Sequence, residues 1–107
     1  MSQLFSISTR KVGPTFRTIL EHYAAHATVK IDCQTFEPTS IPELLETWCT
    51  RRSIESCNDF EVCVDRVPVV GFHDHPAELW AAESESSLVR VLETRGLAKC
   101  VLLPNHG

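Results

Sequence analysis

The chain has 107 residues, of which 43% are apolar and 22% are charged, with a net charge of −4. This apolar content excludes an intrinsically disordered protein, and no apolar run approaches the roughly 18 residues that would cross a bilayer. The length is typical of one domain, so we expect a single globular domain over residues 1–107.

The first third of the chain predicts a strand, a helix and a second strand. Phe5 and Ile7 alternate with serines, which indicates a strand with one buried face. From Thr15 onward the apolar residues recur at helical spacing, at Phe16, Ile19, Leu20, Tyr23, Ala24 and Ala27. Alternation returns over 29–34 and predicts the second strand. Short connections then favour a βαβ unit or an antiparallel equivalent.

The next segment predicts a second helix that begins with a capping box. Ser40 and Glu43 have the spacing in which a side-chain oxygen and a carboxylate cap each other's backbone N–H groups. Apolar residues follow at helical spacing, at Ile41, Leu44, Leu45, Trp48 and Cys49. We expect Arg51 and Arg52 to end this helix, where positive charge complements the helix dipole. The polar stretch over 53–59 predicts a loop.

Two further strands are predicted before a polar break. Over residues 60–64, apolar positions alternate with positions that hold a charged residue or a cysteine, which predicts a strand. Asp65 and Arg66 then predict a turn. The apolar run over 67–73 predicts the fourth strand. Pro68 indicates that this strand starts late or lies at an edge of the sheet, because proline cannot donate to a ladder.

The last third predicts a helix and a final strand. Residues 77–82 fit a short strand and a helix almost equally well, and both alternatives stay open. A helix from Ser86 is expected to end at Gly96, the left-handed cap, with Leu97 packing back onto it. The apolar run over 99–103 predicts the last strand.

These elements define an α+β fold. We expect one two-layer domain with a mixed β-sheet of about five or six strands and about three helices, in the order β-α-β-α-β-β-(β or α)-α-β.

The five cysteines do not form a disulfide framework or a metal ribbon. Their number is odd and no C-x-x-C pair occurs, which excludes a zinc ribbon and a dithiol redox motif. Four of them are expected to act as small core residues, namely Cys33, Cys49, Cys63 and Cys100. Cys57 lies in the predicted polar loop and is the most plausible reactive thiol. No secretory signal is visible at the amino terminus, so we expect a cytoplasmic location.

The densest polar cluster is His73-Asp74-His75. Histidines at i and i+2 on a strand end point the same way and could share a metal, with Asp74 as a ligand or an orienting group. His22 and His26 are spaced i, i+4 on the first predicted helix, which is a second metal-ligand spacing. The alternative for the first set is a polar turn, and for the second set two histidines at the edge of the core. No cofactor is predicted. A transition metal is considered only because these four histidines are weak candidates for its ligands.

Charge is unevenly distributed along the chain. Residues 1–53 hold six Lys/Arg and five Asp/Glu, whereas residues 54–107 hold four Lys/Arg and nine Asp/Glu, a net −5. Basic residues are not clustered, which argues against nucleic acid as a partner, and the absence of a long apolar span argues against a membrane.

These observations favour a small binding or regulatory module over an enzyme. We expect it to act by contact with a protein partner or with itself, through a surface formed by His73, Asp74, His75, Glu78 and Trp80. The principal alternative is a metal- or His-dependent enzyme centred on the His73-Asp74-His75 turn. A further alternative is a regulator whose acidic half binds a basic partner.

Overall fold

The computed structural model describes the chain from residue 2 to residue 101. Within that range there are seven strands, β1 to β7 in chain order, at Ser2–Ser6, Thr28–Ile31, Gln34–Phe36, Asp59–Val64, Val67–His73, Glu78–Ala82 and Lys99–Val101. Four α-helices, α1 to α4, span Val12–Tyr23, Ile41–Thr47, Arg51–Glu55 and Ser86–Thr94. Single turns of 3-10 helix precede three of them, at Thr9–Lys11, Pro38–Ser40 and Glu83–Glu85. The predicted α+β class is confirmed.

The strands form one sheet in the order β3-β2-β4-β5-β6-β1-β7, and every neighbouring pair is antiparallel. The prediction of a mixed sheet is therefore wrong, and the counts of seven strands and four α-helices differ slightly from the expected five or six strands and three helices. The first strand lies between β6 and β7 and does not touch β2, so the antiparallel alternative to a βαβ unit is the one that forms. Residues 77–82, which fit both element types, contain strand β6.

The four helices pack on one face of this sheet. Helix α1 lies in the middle of the helical layer and contacts α2, α3 and α4. Its side chains Phe16, Ile19 and Leu20 have no exposed surface, and they share one core with the inward residues of the strands. The Phe16 ring makes edge contacts with three other rings, those of Trp48, Phe60 and Phe72. The longest helix, α1, has 12 residues, and no helix in the described part of the chain could span a membrane.

The predicted second helix is divided in two. Helix α2 ends at Thr47, and α3 begins at Arg51 after Thr50, whose side-chain oxygen accepts from the Ser53 N–H at 3.2 Å. The arginines thus start a helix instead of ending one, and the predicted loop over 53–59 is partly helical. Ser40 makes no side-chain capping bond because its backbone is already helical, so the predicted capping box does not form.

The structure contains a hairpin between residues 28 and 36, where the sequence predicts a single strand. Strands β2 and β3 are joined by a two-residue turn in which Asp32 has a positive φ of 54°. The Asp32 carboxylate accepts from the backbone N–H groups of Asn58 at 2.8 Å and Asp59 at 3.0 Å. The turn is therefore tied to the start of β4, a long-range contact that local periodicity does not reveal.

Strand β5 already begins at Val67 and is interior, lying between β4 and β6, so the late start and the edge position expected from Pro68 are both wrong. Proline is tolerated because Pro68 lies beside a register shift in the β4–β5 ladder, and pairing with β6 covers only Val70 and Gly71. The predicted turn at Asp65 and Arg66 is present, with positive φ at both residues.

The carboxyl end of α4 confirms its predicted cap. Gly96 has a φ of +67°, the Leu97 N–H donates to the Leu92 carbonyl at 2.8 Å, and the Gly96 N–H donates to the Glu93 carbonyl at 3.0 Å. This pair of bonds is the Schellman motif. Strand β7 begins at Lys99 as predicted, and residues 102–103 of the predicted last strand lie outside the described residues.

Candidate functional site

One face of the sheet carries no helix, and we call it the helix-free face. In β1, Phe5 points into the core, so Leu4 and Ser6 point to the opposite side. The pairing register extends this alternation across the whole sheet. One line of cross-strand neighbours on the helix-free face runs through all seven strands, in the order Thr35, Lys30, Glu61, Gly71, Trp80, Leu4 and Val101.

Three apolar side chains at one end of this line form what we call the apolar row, Trp80, Leu4 and Val101. Leu4 is 37% exposed and Val101 is 43% exposed, while Trp80 is half-buried. Among the described residues only one other large apolar side chain is exposed, that of Val67. Single exposed apolar residues are ordinary on a protein surface, but a contiguous set indicates a contact surface.

A second line of residues, the polar row, lies one pleat away and consists of Glu78, Ser6 and Lys99. Ser6 in β1 pairs with Glu78 of β6 on one side and with Lys99 of β7 on the other. All three side chains are exposed. Neither Glu78 nor Lys99 forms an ion pair within residues 2–101. Opposite charges therefore flank β1 at the same level, two strands apart.

A depression of about 200 Å³ lies next to the apolar row, and its lining includes Trp80, Glu61, Lys30, Asp59 and His73. Two of these lining residues, Glu61 and Trp80, are the cross-strand partners of Gly71 in β4 and β6. The charged half of the helix-free face thus begins where the apolar row ends.

At the edge of this depression, the imidazole of His73 lies between two carboxylates. Its Nδ1–H donates to Asp59 Oδ1, the paired residue on β4, and its Nε2 lies 3.4 Å from Asp74 Oδ2. The hydrogen bond to Asp59, and secondarily the charge of Asp74, raise the pKa of His73 above its usual value. The donor atoms of these three exposed residues lie within 4.8 Å of one another. A metal could use them only by displacing His73 from at least one carboxylate.

We expect the ring protons of His73 to titrate in an NMR experiment with a midpoint above the ordinary histidine value of about 6.5. Because the pKa is raised by folding, the stabilising contact is fully present below about pH 6.5 and is lost as the pH rises through the folded-state value. Asp59→Asn should lower the midpoint most, and Asp74→Asn should lower it less.

Asp65→Asn is the matched control, because Asp65 is exposed and lies in the turn beyond the other end of β4. It should leave the titration of His73 unchanged. A midpoint at or below about 6.5 in the unmodified protein would contradict the described contacts.

The predicted binding residues are partly brought together. His73, Glu78 and Trp80 all lie on the helix-free face, whereas Asp74 and His75 lie in the turn between β5 and β6. Asp74 has a positive φ of 66°, and the His75 carbonyl accepts from the Glu78 N–H at 2.9 Å. The predicted polar turn is therefore present, and three of the five residues proposed for binding share the helix-free face.

The two other histidines lie apart from this cluster, in the helical layer. Helix α1 ends at Tyr23, so His26 lies in the turn beyond it and the predicted i, i+4 pair on one helix does not form. His22 Nε2 lies 3.4 Å from Ser87 Oγ of α4. Within residues 2–101, the only group of three metal-ligand side chains in mutual reach is Asp59, His73 and Asp74. The four candidate histidines do not converge.

Sequence reasoning missed Leu4, Val101 and Asp59 as members of this surface. Asp59 was assigned to a loop, and its contact with His73 depends on the β4–β5 register. Leu4 had a detectable signal, because an apolar residue next to the buried Phe5 must lie on the opposite face of the strand. Val101 had none, since its partner strand is separated from it by almost the whole chain.

The cysteines are distributed differently from the prediction. Cys33 is exposed in the β2–β3 turn and Cys100 is half-buried, while Cys49 and Cys63 are buried as expected. Cys57 is also buried: its thiol accepts from Trp48 Nε1–H and donates to the Ser53 carbonyl, each at 3.3 Å. Burial raises the pKa of the Cys57 thiol, which disfavours the nucleophilic thiolate.

A second cleft, of about 540 Å³, lies between the β2–β3 hairpin and helices α2 and α3. Its lining includes Trp48, Leu44 and Ile31, with Asp32 and Cys33 on the hairpin side. Trp48, Leu44 and Ile31 each retain less than one tenth of their surface and belong to the core, and of the larger apolar side chains in the cleft only Phe36 is half-buried. The helix-free face is the better candidate site.

Comparison with protein-family models, with curated proteins and with solved structures found no match to this chain. The geometry of the helix-free face is therefore the basis on which function is inferred.

Proposed function

We propose that the protein is a binding module that acts by protein–protein contact through the helix-free face of its sheet. The observation that carries this proposal is the apolar row of Trp80, Leu4 and Val101, which lies on the side of the sheet that the helices leave open. An antiparallel sheet with one solvated face normally alternates apolar residues inward with polar residues outward. Three adjacent strands depart from that alternation at the same level.

The surroundings of the row have the composition of a contact surface. Trp80 is a large half-buried aromatic residue, the type that most often anchors protein interfaces. Polar and charged groups border it, with Glu78, Ser6 and Lys99 on one side and Glu61 across Gly71. An apolar centre with a polar rim is the usual anatomy of an interface.

The alternative of a metal- or His-dependent enzyme has less support. Of its four candidate histidines, His22 and His26 lie in the helical layer and His75 lies in the β5–β6 turn. Within residues 2–101, only His73 belongs to a group of ligand side chains in mutual reach. Cys57, the candidate nucleophile, is buried with its sulfur engaged in two contacts. The His73–Asp59 pair does line the depression on the helix-free face, but both side chains are exposed and the depression's lining residues include no Ser, Thr or Cys nucleophile.

Site-specific photocrosslinking in cells tests the proposal. The photoreactive residue p-benzoylphenylalanine is placed at position 4, in the apolar row, and in a second variant at position 21. Glu21 is exposed on α1, in the helical layer, and serves as the matched control. We expect irradiation to give adducts of discrete mass from position 4 and little from position 21.

The additional substitution Trp80→Ala should reduce the adducts from position 4, because it removes the anchor of the surface. Equal crosslinking from positions 4 and 21, or adducts that persist unchanged without Trp80, would reject the helix-free face as the binding surface.

A further inference from the structure

Strand β1 has a symmetrical pair of neighbours on the helix-free face. At the level of Leu4 both neighbours are apolar, Trp80 in β6 and Val101 in β7. At the level of Ser6 the neighbours carry opposite charges, Glu78 in β6 and Lys99 in β7. Any operation that exchanges the two sides of β1 therefore brings apolar groups onto apolar groups and acidic groups onto basic groups.

A twofold axis along β1, in the plane between two stacked sheets, is such an operation. It keeps each level along the strand and exchanges β6 with β7. Leu4 then faces Leu4 of the second copy, and Trp80 faces Val101 of the second copy. One pleat away, Glu78 faces Lys99 of the second copy, and the symmetry produces this ion pair twice.

We infer that the partner of the helix-free face is a second copy of this chain, in a face-to-face dimer whose twofold axis runs along β1. This inference depends on the proposed function and names its partner. The supporting observation is complementarity of both charge and polarity in the register of three adjacent strands. Sheets stacked in this way lie about 10 Å apart, within reach of glutamate and lysine side chains.

The small number of strands in contact limits the affinity of the dimer. Rotation about β1 overlaps only β6, β1 and β7, a width of about 14 Å at about 4.8 Å per strand. The charged half, with Lys30 and Glu61, remains outside the contact. An interface this narrow is below the standard size for stable complexes, so we expect a dissociation constant of roughly micromolar or weaker.

Charge exchange at the polar row tests the dimer by sedimentation velocity over roughly 1 to 500 µM, the range that the expected affinity requires. The wild-type protein should shift from monomer to dimer within this range. Glu78→Lys and Lys99→Glu should each weaken association by about tenfold, since each creates two like-charge pairs across the axis. The double variant Glu78→Lys with Lys99→Glu should restore association to within about threefold of wild type, because both pairs are rebuilt with reversed polarity.

Matched controls change net charge equally in the helical layer. Glu46→Lys on α2 and Arg90→Glu on α4 alter exposed residues and should leave association unchanged. Thermal unfolding of each variant verifies that it is folded, and all substituted side chains are exposed.

Two outcomes would overturn the inference: a wild-type protein that stays monomeric over the whole range, or a double variant that associates no better than the single variants. Crosslinks from position 4 distinguish this failure from failure of the proposed function. Adducts that contain a different protein would support the proposed binding module but contradict the inference that its partner is a second copy of this chain.

Discussion

Replacing Gly71 with alanine is expected to lower the free energy of unfolding by about 3 kcal/mol or more. Gly71 lies in an interior strand, paired with Glu61 on one side and Trp80 on the other. A Cβ atom at this position would collide with the carbonyl oxygen of Phe60 and lie 3.2 Å from Cα of Glu61. Both are backbone atoms of the neighbouring strand, so no side-chain rotation relieves the contact and the two strands must separate.

Small domains have a total stability of about 5 to 15 kcal/mol, so a loss of this size is measurable by urea unfolding followed through tryptophan fluorescence. Gly13→Ala is the matched control. Its Cβ would lie 3.4 Å from the Cys49 carbonyl oxygen, an ordinary contact, and Gly13 is in the first turn of α1. There alanine should be neutral or stabilise by up to about 1 kcal/mol. Equal effects of the two substitutions would contradict the described β4–β5 packing.

Truncating Phe16 to alanine should cost about 3 to 5 kcal/mol. The Phe16 side chain is fully buried, and its ring centre lies 5.0 Å from that of Phe60, 5.5 Å from that of Phe72 and 5.9 Å from that of Trp48. These partners come from β4, β5 and the chain between α2 and α3, so one ring joins the helical layer to the sheet. The cavity left by its removal therefore opens at the centre of the domain, where few groups can move to fill it.

Phe36→Ala provides the comparison for this substitution. Phe36 is half-buried on β3, an edge strand, so its truncation leaves a site that water can enter, and we expect a loss of about 1 to 2 kcal/mol. Chemical denaturation of both variants measures the difference. Comparable losses at positions 16 and 36 would show that the core is not centred on Phe16.

Elements specified by local patterns were predictable from the sequence. The apolar stripe of α1 was recognised, and so was α4 with its Gly96 cap, because periodicity and capping act within a few residues. The inward and outward alternation of β4 was predictable for the same reason. The break between α2 and α3 was not, since apolar spacing continues across it and the Thr50 cap was hidden within the stripe.

Strand order and register depend on contacts between distant residues, and these the sequence did not reveal. The two hydrogen bonds that the Asp32 carboxylate accepts at the start of β4 connect positions separated by 26 and by 27 residues along the chain. The residues of the candidate site likewise fall into a group that local sequence indicates and a group that it does not. His73 and Trp80 were recognised because they are close together in an unusual polar segment. Leu4 and Val101 were not, because only the sheet topology places them beside Trp80.

The position of β1 between β6 and β7 has a consequence for biosynthesis. Strands β2 to β5 pair only with strands within β2 to β6, so this part of the sheet can form as the chain emerges from the ribosome, whereas β1 has to wait for β6 and then for β7. The apolar row therefore does not exist until Val101 has been synthesised and paired with Leu4. An incomplete nascent chain lacks one side of the proposed twofold arrangement, so in the proposed dimer neighbouring chains on a polysome would not pair prematurely through this face.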